Sequence, residues 1–528
     1  MYDYLIKNAL IIDGTGAAGY KADVAVSDGK IVDLGSGNTA AAQRVIEANG
    51  KILAPGFIDL HSHSDLGLIL SSFEPNKLSQ GVTTEVGGNC GFSLFPVTAE
   101  GRPAVQQLMK AYGAEMEIPW SDGRGYYAAL RQRGFGVNYL PLVGHGLLRL
   151  NVMGGSASAP DKSQLKAMES LLATELEAGA WGFSTGLAYM PGCFAGFEEL
   201  KALAAVTARY GGVYTSHIRN QGNELLSSVE EAIGLAESTG VAVVISHLKA
   251  YGVSNWGKAG AALERIEAAR SSGYKVMADF YPYDSSESTL MYEMPEWAKA
   301  GGVEALIRRL SDPQDKDRIR QEIEQRGELS WDRVVVSGVK NEVHAGLIGR
   351  SITQIAEDCG PDREPFDVVA ELLKSEQGGV STVCRLMSAA DVDEIAVSGV
   401  TALGSDSYAL PEGQPFTGHP RNWGAFPHFY DTYVKKKKLL KPEQAVYKMS
   451  GMAADFLGLS DRGKIKAGYT ADLVMFDPES IAGPASFTAP DTPSSGIEMV
   501  LVNGVVQYEH KELQREPVGE ILLKSREG

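Results

Sequence analysis

Cysteine is scarce in this chain: 528 residues carry four, Cys90, Cys193, Cys359 and Cys384, far apart and without CxxC spacing. That spacing excludes a disulfide framework and a structural zinc knuckle. Histidine is nearly as sparse, at nine. No run approaches the ~18 uninterrupted apolar residues of a membrane span. The first residues, MYDYLIKNALIIDG, put acidic and turn residues where a signal peptide needs a basic end and a longer apolar stretch. A cytoplasmic protein is expected. Positive charge is short too, with 49 Lys and Arg against 66 Asp and Glu and a net charge of −17. Such a balance repels nucleic acid and anionic membrane surfaces. The one basic run, Lys435 to Lys438, reads as a solvated helix end. What remains is a globular composition, 44% hydrophobic and 22% charged, long enough for one large domain plus a smaller one.

The first fifty-odd residues alternate apolar and polar around hairpin signals at Asp28-Gly29 and Asn49-Gly50, which predicts an antiparallel sheet. The C-terminal segments ADLVMFD and GIEMVLVNGVVQYE have the same style, with a turn at Asn503-Gly504. Residues 1–54 and 460–528 are therefore expected to form one small β-sandwich from both termini. Between them, over 55–459, eight apolar runs alternate with amphipathic helical stretches. The runs are GFIDLH, TTEVGG, NYLPLVGHG, WGFSTG, GVYTSHIR, VAVVISHLK, KVMADFYPY and VTALGSD. Eight strands with helical returns are the count for a (β/α)8 TIM barrel, an α/β fold. The seventh return is too long for one helix and contains a strand-like RVVVSGV, so an inserted subdomain is expected at about 285–345.

Barrels of this kind keep their active sites at the C-terminal ends of the strands. There the first run ends in His61 and His63, the second leads into Cys90 in the glycine-rich turn VGGNCGFS, and the fifth and sixth carry His217 and His247. The eighth ends in Asp406. Residues i and i+2 of a strand face the same way, so both histidines of HSH can point at the barrel mouth. An isolated HxH pair is weak evidence. Four of nine histidines, a cysteine and an aspartate at one predicted face are stronger, because imidazole, thiolate and carboxylate are the ligands zinc prefers.

The order HxH, His, His and a late Asp on such a barrel resembles the amidohydrolase superfamily. More narrowly, GGNCG, SHIRN, SHLK, YPY, GSD and GHPRNWGAFP, taken in order, resemble the N-acyl-D-amino-acid deacylase (D-aminoacylase) family over nearly the whole chain. The resemblance implies a tight Zn²⁺ held by Cys90, His217 and His247, with His61, His63 and Asp406 around a second, weak site. It also implies Asp406 as general base and acid, and Lys249, Tyr281 and Arg421 as ligands of the substrate carboxylate. The expected partner is a small N-acyl amino acid, with neither nucleic acid nor membrane, and the oligomeric state is left open. His145, at the end of the third run, is expected to be structural, and Arg219 has no assigned role. Two departures stand out: Gln221 replaces the family's usual glutamate after HIR, and Glu287 enters the serine-rich turn after YPY.

Family members that prefer acidic D-amino acids carry an arginine in the stretch after YPY. Here Asp284 to Lys299 contains no Lys or Arg before Lys299, and has Leu290, Met291, Tyr292 and Met294 instead. Neutral or hydrophobic side chains are therefore expected, unless Arg308 or Arg309 supplies a cation. Competing readings are a cyclic-amide hydrolase of the dihydroorotase or hydantoinase kind, or a dipeptidase, on the same scaffold; the cyclic-amide enzymes normally bridge their metals with lysine. A non-catalytic scaffold protein is the other alternative.

Overall fold

The computed structural model describes residues 1–525 apart from 36, 38, 39, 112–115, 412–417 and 515. Eight parallel strands form the central barrel: β1 (Phe57–Asp59), β2 (Val82–Gly87), β3 (Asn138–Pro141, continued by Val143–Gly144), β4 (Gly182–Gly186), β5 (Val213–His217), β6 (Ala242–Ile245), β7 (Val276–Phe280) and β8 (Thr401–Leu403). A bridge between Ser62 and Ser407 closes the ring between β1 and β8. Seven of the strands fall within one of the eight apolar runs, and β2 begins one residue before its run. The strands are almost wholly buried, as continuous Val/Ile-rich runs are when helices cover a parallel sheet. The return helix Lys162–Glu177 shows why these segments are helical. Asp161 and Gln164 form a capping box at its start, and Met168, Leu172 and Leu176 recur every four residues on its buried face.

The termini build one continuous nine-stranded sheet. Asp28-Gly29, Asn49-Gly50 and Asn503-Gly504 all have the paired positive φ of tight turns. The sheet is mixed rather than antiparallel. Strand Tyr2–Ile11 pairs antiparallel with Tyr20–Ser27 but parallel with both Ala42–Glu47 and Ile52–Pro55. The crossover after Lys30–Gly35 returns the chain along the far edge of the first strand, a long-range pairing that no local pattern encodes. The extreme C-terminus leaves this sheet altogether. The Tyr139 amide donates to the Glu520 carbonyl and the Leu522 amide to that of Tyr139, while the Trp181 indole also donates to Leu522. The tail thus covers the start of β3, at the barrel end opposite the site, rather than continuing the terminal sheet.

The long return between β7 and β8 carries a three-stranded antiparallel sheet, Ser286–Thr289, Val334–Gly338 and Ser381–Cys384, with the last strand in the middle. Four helices, Gly302–Ser311, Pro313–Arg326, Ile352–Cys359 and Pro365–Ser375, cover it around a separate apolar core that includes Leu290, Met294, Leu306, Ile319, Ile352 and Leu373. The inserted unit therefore runs to Cys384 rather than stopping near 345. Its other two strands are joined only through Ser381–Cys384.

Candidate metal and substrate site

The glycine-rich turn after β2 is pinned from three sides. Asn89 donates to the Val86 carbonyl at 2.9 Å and accepts from Thr215 of β5 at 3.0 Å, and the Gly91 amide donates to Ser184 of β4 at 2.9 Å. Gly91 has φ +77°, and a Cβ on Gly186 would stand 2.2 Å from the Cys90 carbonyl oxygen. Glycine is required for this close approach. The turn aims Cys90 inward. Its Sγ lies 3.4 Å from His61 Nε2, 3.4 Å from His247 Nε2 and 3.8 Å from His217 Nδ1.

Beside this cluster, Asp406 Oδ1 is 3.5 Å from His61 Nε2 and 3.1 Å from His63 Nε2. Two groups of ligand atoms converge closely enough to hold a metal: His61, Cys90 and His247, and His61, His63 and Asp406. His61 belongs to both, and His217 stands slightly farther out. The donor chemistry fits zinc. Burial alone would raise the Cys90 thiol, but His61 and His247 outweigh it and hold it well below the usual thiol range. Burial and the neighbouring Lys249 push His247 well below its ordinary value, and burial lowers His217. Thiolate and neutral imidazole, the states that ligate, are thus favoured at Cys90, His217 and His247. Burial would lower His61 and His63 too, but Asp279 and Cys90 raise His61, and Asp406 and Cys90 raise His63. His217 Nε2 is buried with no hydrogen-bond partner among the described residues.

Cys90, His247 and Asp406 all adopt left-handed φ, at +52°, +35° and +52°. Three non-glycine residues in that region at one site are costly and mark a functional constraint. One contributor was missed in the sequence: Asp279, at the end of β7, sits 3.2 Å from His61 Nδ1 through Oδ2 and accepts the His247 amide on Oδ1 at 2.7 Å. It thereby orients two candidate ligand histidines. The signal was available, because Asp279 is an acid in an apolar strand and shares the parity of Tyr281.

Opposite the cluster lie the three residues expected to bind a carboxylate. Lys249 Nζ and the Arg421 guanidinium both stack over Tyr281, at 5.3 and 4.8 Å from its ring centre. Arg421 Nη1 is 2.8 Å from Asp406 Oδ2, but neither this nitrogen nor Nε is aligned for a hydrogen bond within the described residues. The Tyr281 hydroxyl is likewise buried and has no aligned hydrogen bond among the described residues. Burial would raise the Asp406 carboxyl, yet Arg421 and the facing imidazoles hold it well below the ordinary carboxylate range. Lys249 donates to Gln221 Oε1 at 3.0 Å, and the Gln221 amide nitrogen stands 3.0 Å from His247 Nδ1. The departure at 221 therefore lies directly against a candidate ligand.

Other residues go elsewhere. His145 pairs with Glu199, which also takes Arg149. Arg219 pairs with Glu231 and donates to the Cys193 and Ala195 carbonyls, anchoring the loop after β4. Arg309 donates to the Ala298 and Ala300 carbonyls. Leu290 and Met294 face the core of the insertion and not the site; of that stretch, Tyr292 approaches His217, at 6.2 Å between ring centres, and Tyr189 at 5.7 Å. Part of the loop between Asp406 and Arg421, at 412–417, lies outside the described residues.

Barrel, terminal sheet and this ligand constellation define a metal-dependent hydrolase of the amidohydrolase type. Residues 44–309 and 376–508 match the amidohydrolase family, and the chain belongs to it. It is 36% identical to an N-acyl-D-glutamate deacylase from Alcaligenes xylosoxydans xylosoxydans over 96% of this chain and 93% of that one. A D-aminoacylase of the same organism is 32% identical, over 99% and 98%. The crystal structure of an N-acyl-D-glutamate deacylase from Bordetella bronchiseptica, complexed with zinc and a phosphonate mimic of the tetrahedral intermediate, superposes with a TM-score of 0.83 at 33% identity, covering 99% of both chains.

Proposed function

We propose that this protein hydrolyses the amide bond of N-acyl-D-amino acids, releasing a carboxylate and a free D-amino acid, with neutral or hydrophobic side chains preferred. The observation that carries the reading is the Cys90 sulfur set 3.4 Å from two imidazoles, with the Asp406 carboxylate on one side and the Lys249 and Arg421 cations beyond it. We assign Cys90, His217 and His247, with His61 close by, to a tight zinc, and His61, His63 and Asp406 to a weaker second position. Bound there, zinc supplies Lewis acidity toward an amide carbonyl and toward water. Asp406, kept ionised, takes the proton of the attacking water on a carboxylate oxygen and returns it to the departing amine nitrogen. Lys249, Arg421 and the Tyr281 hydroxyl bind the α-carboxylate and orient the substrate; Arg421 Nε and the Tyr281 hydroxyl, buried without an aligned hydrogen bond among the described residues, support this role.

A cysteine where cyclic-amide hydrolases normally use a bridging lysine favours the linear amide. Relatives named for D-glutamate and for unspecified D-amino acids match almost equally well, so overall identity does not set the side chain. The residues favour an uncharged one: in this reading Lys249 and Arg421 serve the α-carboxylate, and Lys299 is buried and donates to the Tyr292 carbonyl. A side-chain carboxylate would be desolvated without a cation. No helix among the described residues is long and apolar enough to cross a membrane. A site that needs a reduced thiol suits the cytoplasm. We take residues 55–459 as the barrel domain with its insertion, and the two terminal segments as the accessory sheet domain.

The test is kcat/KM for N-acetyl-D-methionine, N-acetyl-L-methionine, N-acetyl-D-glutamate and hydantoin. We expect D-methionine to exceed D-glutamate by at least about tenfold, the order of one missing ion pair, and hydantoin to be inert. Preference for hydantoin or for the L substrate would contradict the reading. Preference for D-glutamate would contradict only the side-chain part.

A further inference from the structure

Glu287 is a carboxyl with no assigned task beside the substrate-binding cations. It sits on strand Ser286–Thr289, opposite Val383. That strand is tied to the segment leading into Arg421: Ser285 Oγ lies 3.0 Å from His419 Nε2, and the Arg421 amide donates to His419 Nδ1 at 3.1 Å. The position of Glu287 relative to Arg421 is therefore set by packed, hydrogen-bonded backbone and not by a free loop. The His419 backbone N–H faces the carboxyl, which also feels the charges of Arg421 and Asp406. Its Oε2 is buried with no hydrogen-bond partner among the described residues. Burial pushes the carboxyl up to about 7, against the pull of Arg421, as happens when a buried acid has no cation of its own.

We propose that Glu287 is a specificity-determining residue of the deacylation site, accepting a hydrogen bond from a D-amino-acid side chain that ends in an N–H donor and disfavouring one that ends in a carboxylate. This rests on the functional reading above. With the α-carboxylate on Arg421, Lys249 and Tyr281, the side chain branches from the adjoining carbon, so an acceptor next to Arg421 lies within reach of its far end. The unpaired Oε2 is the acceptor such a donor completes, and a site built around an unpaired polar group discriminates against analogues that leave it unpaired. A carboxylate in the same place meets a like charge, with Arg421 already engaged by the α-carboxylate.

N-acetyl-D-glutamine, N-acetyl-D-methionine and N-acetyl-D-glutamate have side chains of similar length and differ mainly in the terminal group, so their kcat/KM ratios at pH 8 report on Glu287 directly. For the wild type we expect D-glutamine to exceed D-glutamate by about tenfold or more and D-methionine by a few-fold, the range of a hydrogen bond to a charged group. Glu287→Ala should bring the glutamine-to-methionine ratio to near one, and Glu287→Gln should raise D-glutamate relative to D-methionine. Ratios that stay put in both variants, or a uniform loss on all three substrates, would overturn the assignment while leaving the deacylase reading intact. Failure of the wild type to hydrolyse any of the three would overturn both.

Discussion

Cys90 holds a left-handed backbone, a conformation that costs a β-carbon residue on the order of 1–3 kcal/mol. A small buried hydrophobe would gain nothing from that cost, whereas a thiolate aimed at two imidazoles does. Cys90→Ala should therefore purify folded but without tightly held zinc and without turnover, measured by metal analysis alongside circular dichroism. Full zinc content and full activity in this variant would remove the thiolate from the site. Asp406→Asn separates binding from chemistry. The neighbouring thiolate and imidazoles should keep the tight zinc, while turnover falls by at least about 10²–10⁴-fold, because a positioned base is lost and this one acts in two steps. Near-normal rates would identify another base.

At the level of elements, the strand ends are held by a buried charge network. Lys77, in the short helix Pro75–Leu78, is fully buried, with Nζ 2.8 Å from Asp59 of β1, 3.2 Å from Glu85 of β2 and 2.8 Å from Ser407 beyond β8. The Asp59 carboxylate also accepts the Ser405 amide at 2.7 Å. One ammonium thus ties the elements carrying His61, Cys90 and Asp406. Lys77→Met leaves two buried carboxylates without their cation, and we expect about 3–5 kcal/mol of lost stability in denaturant titrations, the usual penalty for breaking a buried pair from one side. An unchanged midpoint would show that the network is not structural. Lys77 does not declare itself in the sequence, because its partners lie on other strands, whereas Asp279 does, as an acid in an apolar strand. The eight strand runs, the three glycine turns and the residues at the strand ends are legible, since local periodicity and turn chemistry encode them. The mixed pairing of the terminal sheet, the reach of the insertion to Cys384 and the burial of Leu290 and Met294 in a second core are not. An apolar residue announces burial but not which core receives it.

At the scale of the whole molecule, the barrel presents one loaded face, the C-terminal strand ends with Cys90, four histidines, Asp406, Lys249 and Arg421, while its opposite end is covered by the returning tail. The insertion brings Tyr292 to the loaded face and, in our proposal, Glu287 as well, and it keeps a core of its own. Specificity can therefore change in the insertion without disturbing the ligands beneath. The central claim is that the Cys90 cluster is a zinc site driving hydrolysis of N-acyl-D-amino acids. Its most direct test is to strip the purified protein with a chelator, titrate zinc back and follow N-acetyl-D-methionine hydrolysis beside its L enantiomer. We expect no turnover in the stripped protein and recovery that saturates near one zinc per chain, the complement of a thiolate-plus-imidazole set with an open position, for the D substrate alone. Full turnover in the metal-free protein, or equal turnover of both enantiomers, would contradict it.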